Sequence, residues 1–571
     1  MGARAKKWAV IGGIVGVIVL SGLALLRSEW LNNRIVAKLR AEVVRIASPH
    51  FTITMGQMNV DLMDGDFSIM DLALESDSNL LDSLRKELGP VQLSLRVQRI
   101  SVRGFSYWRL FMADELGMDS LCLDSPVIRY TYAAHETNDT VTAKEASVMV
   151  ETQKTISIGA LTVKNASGIA IDLAERTHEF SIGRMDAQAK QLRFVVPPQS
   201  EKDQWEVVWA NVELSDLHAG LPPLYDLAIG RLGLSHPEGI VAIDSLYFIP
   251  RVSKKNTHEF LREMTSIYAL DAKRVDIARI DLYRAFTEGS VKAGLVKIDG
   301  ARFDVFLDKS MPEDPSHFMP LPVSALRKVP FDITLDSMHL TNAEMLYAER
   351  FEVANGYGSM HMKDIEATMY NVSNDSVLAA EGKELNGTVD MKLFDVGALH
   401  GTFTAPLISR SDAFTLHAMV RDMPLPAVNS MSENLVLLRA DSGWVSSMHM
   451  HMNANNDSAV GTFTMKYDDA WLSIVKHDGS KRRFLTQLVN TIVHHDDRER
   501  PADEGTLRIR IARKKDHSFF NFIWLYTREG LSRTLLPPGW IDVHSTVMEQ
   551  QERIQKIASP ERKKNERKNG A

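Results

Sequence analysis

The chain has almost no cysteine: Cys122 stands alone among 571 residues. An intramolecular disulfide is excluded, and so is a zinc or iron–sulfur site built from this chain's own cysteines. Signature motifs for nucleotide and protease chemistry are missing as well. The sequence holds no P-loop, no G-x-G-x-x-G after a strand and no H-E-x-x-H. Gly356-Tyr357-Gly358-Ser359 lacks the order of a nucleophile elbow. Charge of one sign is not in excess. With 66 Lys+Arg against 73 Asp+Glu the balance is 66 − 73 = −7, which argues against a long basic face for nucleic acid. The apolar fraction of 44% argues against disorder as the main state.

Long apolar runs are also scarce, with one exception. Trp8 to Leu26 carries no charge. At about 1.5 Å per residue it spans a bilayer core of roughly 30 Å. Arg4, Lys6 and Lys7 precede it and place the start of the chain in the cytoplasm. The sequence predicts a single-pass anchor with the bulk of the chain exported. A cleavable signal peptide, cut near Ala24, is the rival. Leu31, Ile35, Leu39, Val43 and Ile46 then form one apolar stripe on a predicted helix that ends before Pro49. That helix either caps the adjacent core or lies at the bilayer surface as a lip where lipid enters.

The body repeats a β signature: apolar-x-apolar-x-x-apolar-x-apolar. It begins at Ile53, Phe67, Leu95, Leu116, Ile156, Phe180, Val207, Leu227, Val241, Val275, Ile333 and Met360. Period-two alternation makes a strand with one buried face, and the extra central residue flips the phase as a bulge or sharp bend does. The windows at Ile53, Leu95, Phe180, Ile333 and Met360 match strictly. Chance would give such a match about once in 300 windows. The windows fall in neighbouring pairs, which suggests hairpins. Bent strands stacked side by side would form a curved antiparallel sheet, open on one side and apolar within. Roughly 20 to 25 traverses at about 4.8 Å would make a trough on the order of 100 Å long. Two or three closed β-sandwiches are the competing architecture.

Further elements read as follows. Leu80–Leu88, Tyr107–Glu115 and Thr257–Leu270 are predicted helices, and Lys309–Pro322 a loop. Strands are predicted at Gly387–Phe394, His400–Leu407, Phe414–Arg421, Leu435–Ala440, Gly443–Met452 and Val460–Tyr467. Lys481–His494 and Phe519–Leu535 are predicted helices, and Glu549–Ala571 a charged tail. The domains are therefore a cytoplasmic stub (1–7), an anchor (8–26), a juxtamembrane helix (27–48), a β-groove domain (49–380), a C-terminal β module (381–480), helices (481–548) and the tail (549–571).

Ser442–Lys476, SGWVSSMHMHMNANNDSAVGTFTMKYDDAWLSIVK, and Phe519–Leu535, FFNFIWLYTREGLSRTL, together with the anchor-helix-strand layout, resemble the AsmA-like proteins of the bacterial envelope. That group is related to TamB and to chorein-type lipid-transfer proteins, and the terminal helix is similar to that of Bacteroidota members. The resemblance implies an inner-membrane-anchored periplasmic protein, mainly β, with a hydrophobic groove for phospholipid and a role in outer-membrane homeostasis. It implies no catalytic residues and no cofactor.

An acyl chain leaving a bilayer exposes methylenes at roughly 0.8 kcal/mol each, and a continuous apolar trough offsets that along the route. Met, with 26 copies, suits such a lining. Met55, Met58, Met118, Met185, Met338, Met360 and Met362 sit at apolar positions of the pattern. The expected groove lining is Ile100, Val102, Leu121, Leu123, Ile158, Leu161, Ile277, Ile280, Leu335 and Met338. His449 and His451 share a strand face, expected as solvated His over buried Met448, Met450 and Met452 rather than as a metal site. His494, His495, Asp496 and Asp497 read as a polar loop, and Asp119, Asp124, Asp244, Asp276, Asp281 and Asp299 as solvent-facing. The expected partners are membrane lipids and inner- or outer-membrane proteins, with no nucleic acid. A non-enzymatic envelope scaffold is the alternative function, and an anchored hydrolase a third.

Overall fold

The computed structural model describes residues 51–61, 64–76, 92–106, 115–132, 154–172, 177–196, 204–221, 223–312, 318–350, 357–436, 438–475, 481, 486–487, 490, 493–497 and 505–535. The anchor, the juxtamembrane helix, Leu80–Leu88, most of Lys481–His494 and the tail lie outside them, as does Tyr107–Glu115 apart from Glu115. Among the described residues no helix is long and apolar enough to cross a membrane. The chain divides at Ile249/Pro250 into two compact units.

Every regular element of the first unit's described residues is a strand. These are β1 (Phe51–Thr54), β2 (Met58–Asp61), β3 (Asp66–Ser76), β4 (Gln92–Arg103), β5 (Glu115–Asp124), β6 (Val127–Tyr132), β7 (Lys154–Asp172), β8 (Thr177–Val196), β9 (Gln204–Leu221), β10 (Tyr225–His236) and β11 (Ile240–Pro250). β1 and β2 are two halves of one traverse along β3. β5 and β6 likewise form one traverse between β4 and β7.

Alternation and phase flips determine which face each side chain takes. Ile69 and Leu72 in β3 are both on the apolar face because Asp71 between them takes a left-handed φ of 50°. Ser245 and Asp364 occupy the same position of their windows, with φ of 60° and 51°. Asp and Asn tolerate this region better than other side chains. In the Ile156 and Phe180 windows Gly159 and Gly183 take the first central position. A Cβ on Gly159 would lie 2.6 Å from the Asp119 carbonyl oxygen.

The second unit contains β12 (Ser266–Ala278), β13 (Val291–Asp308), β14 (Ile333–Arg350), β15 (Tyr357–Ser373), β16 (Glu384–Leu393), β17 (Gly397–Pro406), β18 (Phe414–Pro424), β19 (Leu438–Ala454), β20 (Ser458–Ile474) and β21 (Leu507–Ala512), each hydrogen-bonded to the next. Helices among its described residues include α1 (Thr257–Phe260), α2 (Leu282–Thr287), α3 (Pro322–Arg327), α4 (Ser376–Ala380), α5 (Asn429–Val436) and α6 (Phe519–Leu535).

The mainly β reading is borne out, with corrections. The sheet is mixed rather than antiparallel: β5 and β6 run parallel to β7, and β13 runs parallel to β14. The β13–β14 crossover carries the prolines of Lys309–Pro322 and α3, and such a crossover is what a parallel pair requires. Thr257–Leu270 is one helical turn followed by the start of β12, because Tyr268 and Leu270 pair with Val305 and Phe303. Leu435–Ala440 is divided between the end of α5 and the start of β19. The described strands make nine traverses in the first unit and ten in the second, fewer than expected, since β7, β8 and β9 run to 19, 20 and 18 residues.

Candidate functional site

Cross-strand register builds the apolar face one row at a time. In the first unit Met58, Ile69, Ile100, Leu123, Val163, Ala187, Val212 and Leu234 are paired neighbours across eight strands. Two residues along each strand, Val60, Phe67, Val102, Leu121, Leu161, Ala189 and Ala210 make a second row. Beyond the flips a third row runs Ile53, Leu74, Leu95, Ile128, Gly168, Ile182, Leu217 and Ile229. Between the first two rows, on the opposite face, lies Asn59, Ser68, Ser101, Cys122, Thr162, Gln188, Asn211 and Ser235. One face is thus apolar for the width of the unit and the other polar.

Six of the predicted lining residues lie in strands of this unit. Ile100 and Leu123 share the first row, Val102, Leu121 and Leu161 the second, and Ile158 pairs with Met118 and Leu192. Of the six only Val102 is buried, and the others are half-buried. No second layer among the described residues covers them. Apolar side chains here shelter one another along the rows. The pattern misplaced Trp209. The flip in β9 falls at Val208, so Trp209 is on the polar face, where the Lys190 ammonium sits 5.2 Å from its ring.

The second unit has the same rows and a different cover. Val275, Ile298, Leu340, Ala367, Val389, Gly401, Ala418, Met450, Phe463 and Leu507 run through all ten strands. Ile277, Val296, Met338, Met369, Gly387, Phe403, Leu416, Met452, Gly461 and Ile509 run beside them. Ile277 and Met338 therefore share a row, and Leu335 pairs with Ala293 and Val372. Ile280 lies past the end of β12, in the connection to α2. Over β18–β21 the face is closed by α6. Phe463, Met452, Ile509, Phe522 and Tyr526 are all 2% exposed or less, and the Tyr526 hydroxyl donates to the His451 carbonyl at 2.9 Å. Burial pushes the Tyr526 phenol up to about 12. The sequence reading placed a helix at Phe519–Leu535 but carried no signal that it would roof this part of the sheet.

Polar groups gather in two places without forming a reactive centre. On the outer face of β18 and β19, His417 stacks on His451 with centroids 4.2 Å apart and planes 11° apart. Partial burial, then the neighbouring imidazole's charge, holds His417 below the usual histidine range. Parallel rings at this spacing cannot both aim in-plane lone pairs at one ion. Beneath them Met448, Met450 and Met452 are buried, as the alternation predicts.

In the β13–β14 region the Ser310 hydroxyl donates to Asp308 at 2.5 Å, and Thr257 donates to the same carboxylate at 2.6 Å. The His258 Nε2 is 3.4 Å from Ser310 and 3.8 Å from Asp308. A nucleophile triad needs serine and carboxylate on different ring nitrogens, and here both approach the same one. The Arg350 guanidinium reaches Asp308 at 3.0 Å. Burial alone would raise the Asp308 carboxyl, but the Ser310 and Thr257 hydrogen bonds and the Arg350 charge outweigh it and hold it below the usual range.

The predicted surface carboxylates have structural partners: Asp299 accepts from Thr341 and Asn342, Asp276 pairs with Arg274, and Asp281 caps α2. Among the described residues no three metal-ligating side chains converge. No protein-family model matches the chain, and neither does any curated protein.

Proposed function

We propose that the chain handles phospholipid along the apolar face of its sheet, as a non-enzymatic, AsmA-like protein anchored in the inner membrane with its bulk in the periplasm. One observation carries the reading: three apolar rows each cross seven or eight strands of the first unit, and most of their side chains are only half-buried, although Val60, Ile69, Val102, Val163, Ala189 and Leu217 are buried. A protein that needed this face only for stability would cover it, since apolar burial contributes about 25 cal/mol per Å². Rows of near-equivalent aliphatic and Met positions suit an acyl chain that must slide rather than lock.

A scaffold for envelope assembly is the second reading. It is supported by the packed, α6-roofed end of the second unit, which has no room for a chain. Photo-crosslinkers placed at Ile100, Ile158, Ile280 and Met338 in cells separate the two. Lipid adducts at several of these positions are expected. Adducts to protein alone at all four would overturn the lipid reading and favour the scaffold.

A further inference from the structure

Six connections meet at one end of the second unit's sheet, tied by hydrogen bonds. Asp281 N–H donates to the Lys292 carbonyl, Val291 N–H to Asp332, and the Asn374 amide to Phe331. Leu407 N–H donates to Lys383, and Arg327 to the Leu407 and Ser409 carbonyls. Asn456 N–H donates to Ser411, Arg513 N–H to Asp457, and Met319 N–H to Lys515. Apart from the β19–β20 turn, each of these connections, or the first turn of the helix that follows it, presents at least one large apolar side chain to solvent. Tyr283, Phe286, Phe331, Val377, Ile408 and Phe520 are 44% to 67% exposed. At the opposite end the described residues present only Phe260 and Val396 in this way.

We propose that this end is a rim that rests on a phospholipid bilayer, its six tips inserted among the lipid headgroups. A protein partner would need a contiguous apolar patch with close-packed complementarity. Each of these tips instead has a polar neighbour along the chain, such as Arg284, Thr287, Asp332, Ser376, Ser409 or Asn521. Separate rings and aliphatic groups between polar neighbours suit the interfacial layer, where an apolar body and a wet surround coexist. Lys328, Lys383 and Arg410 form no salt bridge among the described residues and, with Lys514 beside Asp516, fit lipid phosphates. Asp332, Glu381 and Asp516 lie on the same connections, so apolar insertion rather than charge is the main attraction. The rim does not depend on the groove reading, and either can fail without the other.

The test uses the full chain in a Cys122→Ser background, with a single environment-sensitive fluorophore attached through Val377→Cys, Ile408→Cys or Val396→Cys. The vesicles are phosphatidylethanolamine and phosphatidylglycerol, roughly three to one, with and without brominated acyl chains. Because the readout is local, insertion of any other segment does not produce it. Quenching by at least about half is expected at 377 and 408 and by under about a tenth at 396. A Phe286→Ser/Phe331→Ser variant labelled at 408 is expected to lose at least about half of that quenching. Equal quenching at the three positions, or none at 377 and 408, overturns the proposal.

Discussion

Replacing Leu161 by Ser in β7 and Phe463 by Ala in β20 probes the difference between an open apolar face and a roofed one. Leu161 lies in the second row of the first unit, flanked by Leu121 and Ala189, and is half-buried. Full burial of a leucine contributes about 1.5–3 kcal/mol, so losing half of it costs about 1 kcal/mol, with no cavity because water already reaches the site. Phe463 is 0% exposed, between Met450 and Leu507 in its row and beneath Gly530 of α6. Its truncation leaves an unfilled void and costs about 3–5 kcal/mol. Hydrogen exchange of β7 and β20 amides in the full chain reads each local opening separately. Leu161→Ser is expected to speed exchange in β7 by roughly fivefold, and Phe463→Ala in β20 by at least a hundredfold. If Leu161→Ser lowered the protection of β7 as far as Phe463→Ala lowers that of β20, the first unit's face would be a filled core, and the reasoning from half-burial would be wrong.

Three other expectations follow from single contacts. Asp308→Ala leaves the part-buried Arg350 without its carboxylate and is expected to destabilise the second unit by about 3 kcal/mol in urea titration. Because the folded Asp308 carboxyl is held below its unfolded range, the stability it contributes is present above about pH 3.9 and is lost as pH falls through the folded value. Asp308→Asn should therefore show a flatter acid limb than the parent, and an unchanged limb would count against the assignment. His417 titrates with the opposite sign of charge: its folded value is depressed, so the unfolded chain takes up its proton first, and stability falls as pH drops below about 6.5. His417→Thr should remove that slope in thermal unfolding measured from pH 7.5 to 5. At Gly461 a Cβ would run into the His451 carbonyl and lie 2.7 Å from the Tyr526 hydroxyl. Gly461→Ala is expected to undock α6 and expose it to limited proteolysis, whereas Val460→Ala, one residue earlier on the outer face, should leave the digest unchanged.

The outcome of the sequence reading depended on whether a feature was local. Period-two runs are a property of a few consecutive residues, so the strands around Ile69, Ile100, Leu123 and Leu161 were legible, as was the flip that Asp71 produces by turning left-handed. The flip at Val208 was not: the x-x pair at Ala210-Asn211 looked like the slip, and only pairing with Leu192 and Lys190 shows where β9 changes phase. The helix Phe519–Leu535, aromatic in its first turns, was legible in the sequence. Thr257–Leu270 was misread because its helical turn is short and its later residues are claimed by β13, about thirty-five residues downstream.

By itself the sequence determined that these strands exist, which side chains share a face within each, and that the face is aliphatic and rich in methionine. Register between strands is a different matter. It joins residues as far apart in the chain as Leu123 and Val163, so only the folded sheet decided that eight separate alternations line up into unbroken rows, and that β13 and β14 run parallel around the proline-rich crossover. Cover was also decided there: the same apolar pattern is roofed over β18–β21, because α6 returns to that patch of sheet, whereas no described helix lies in the first unit.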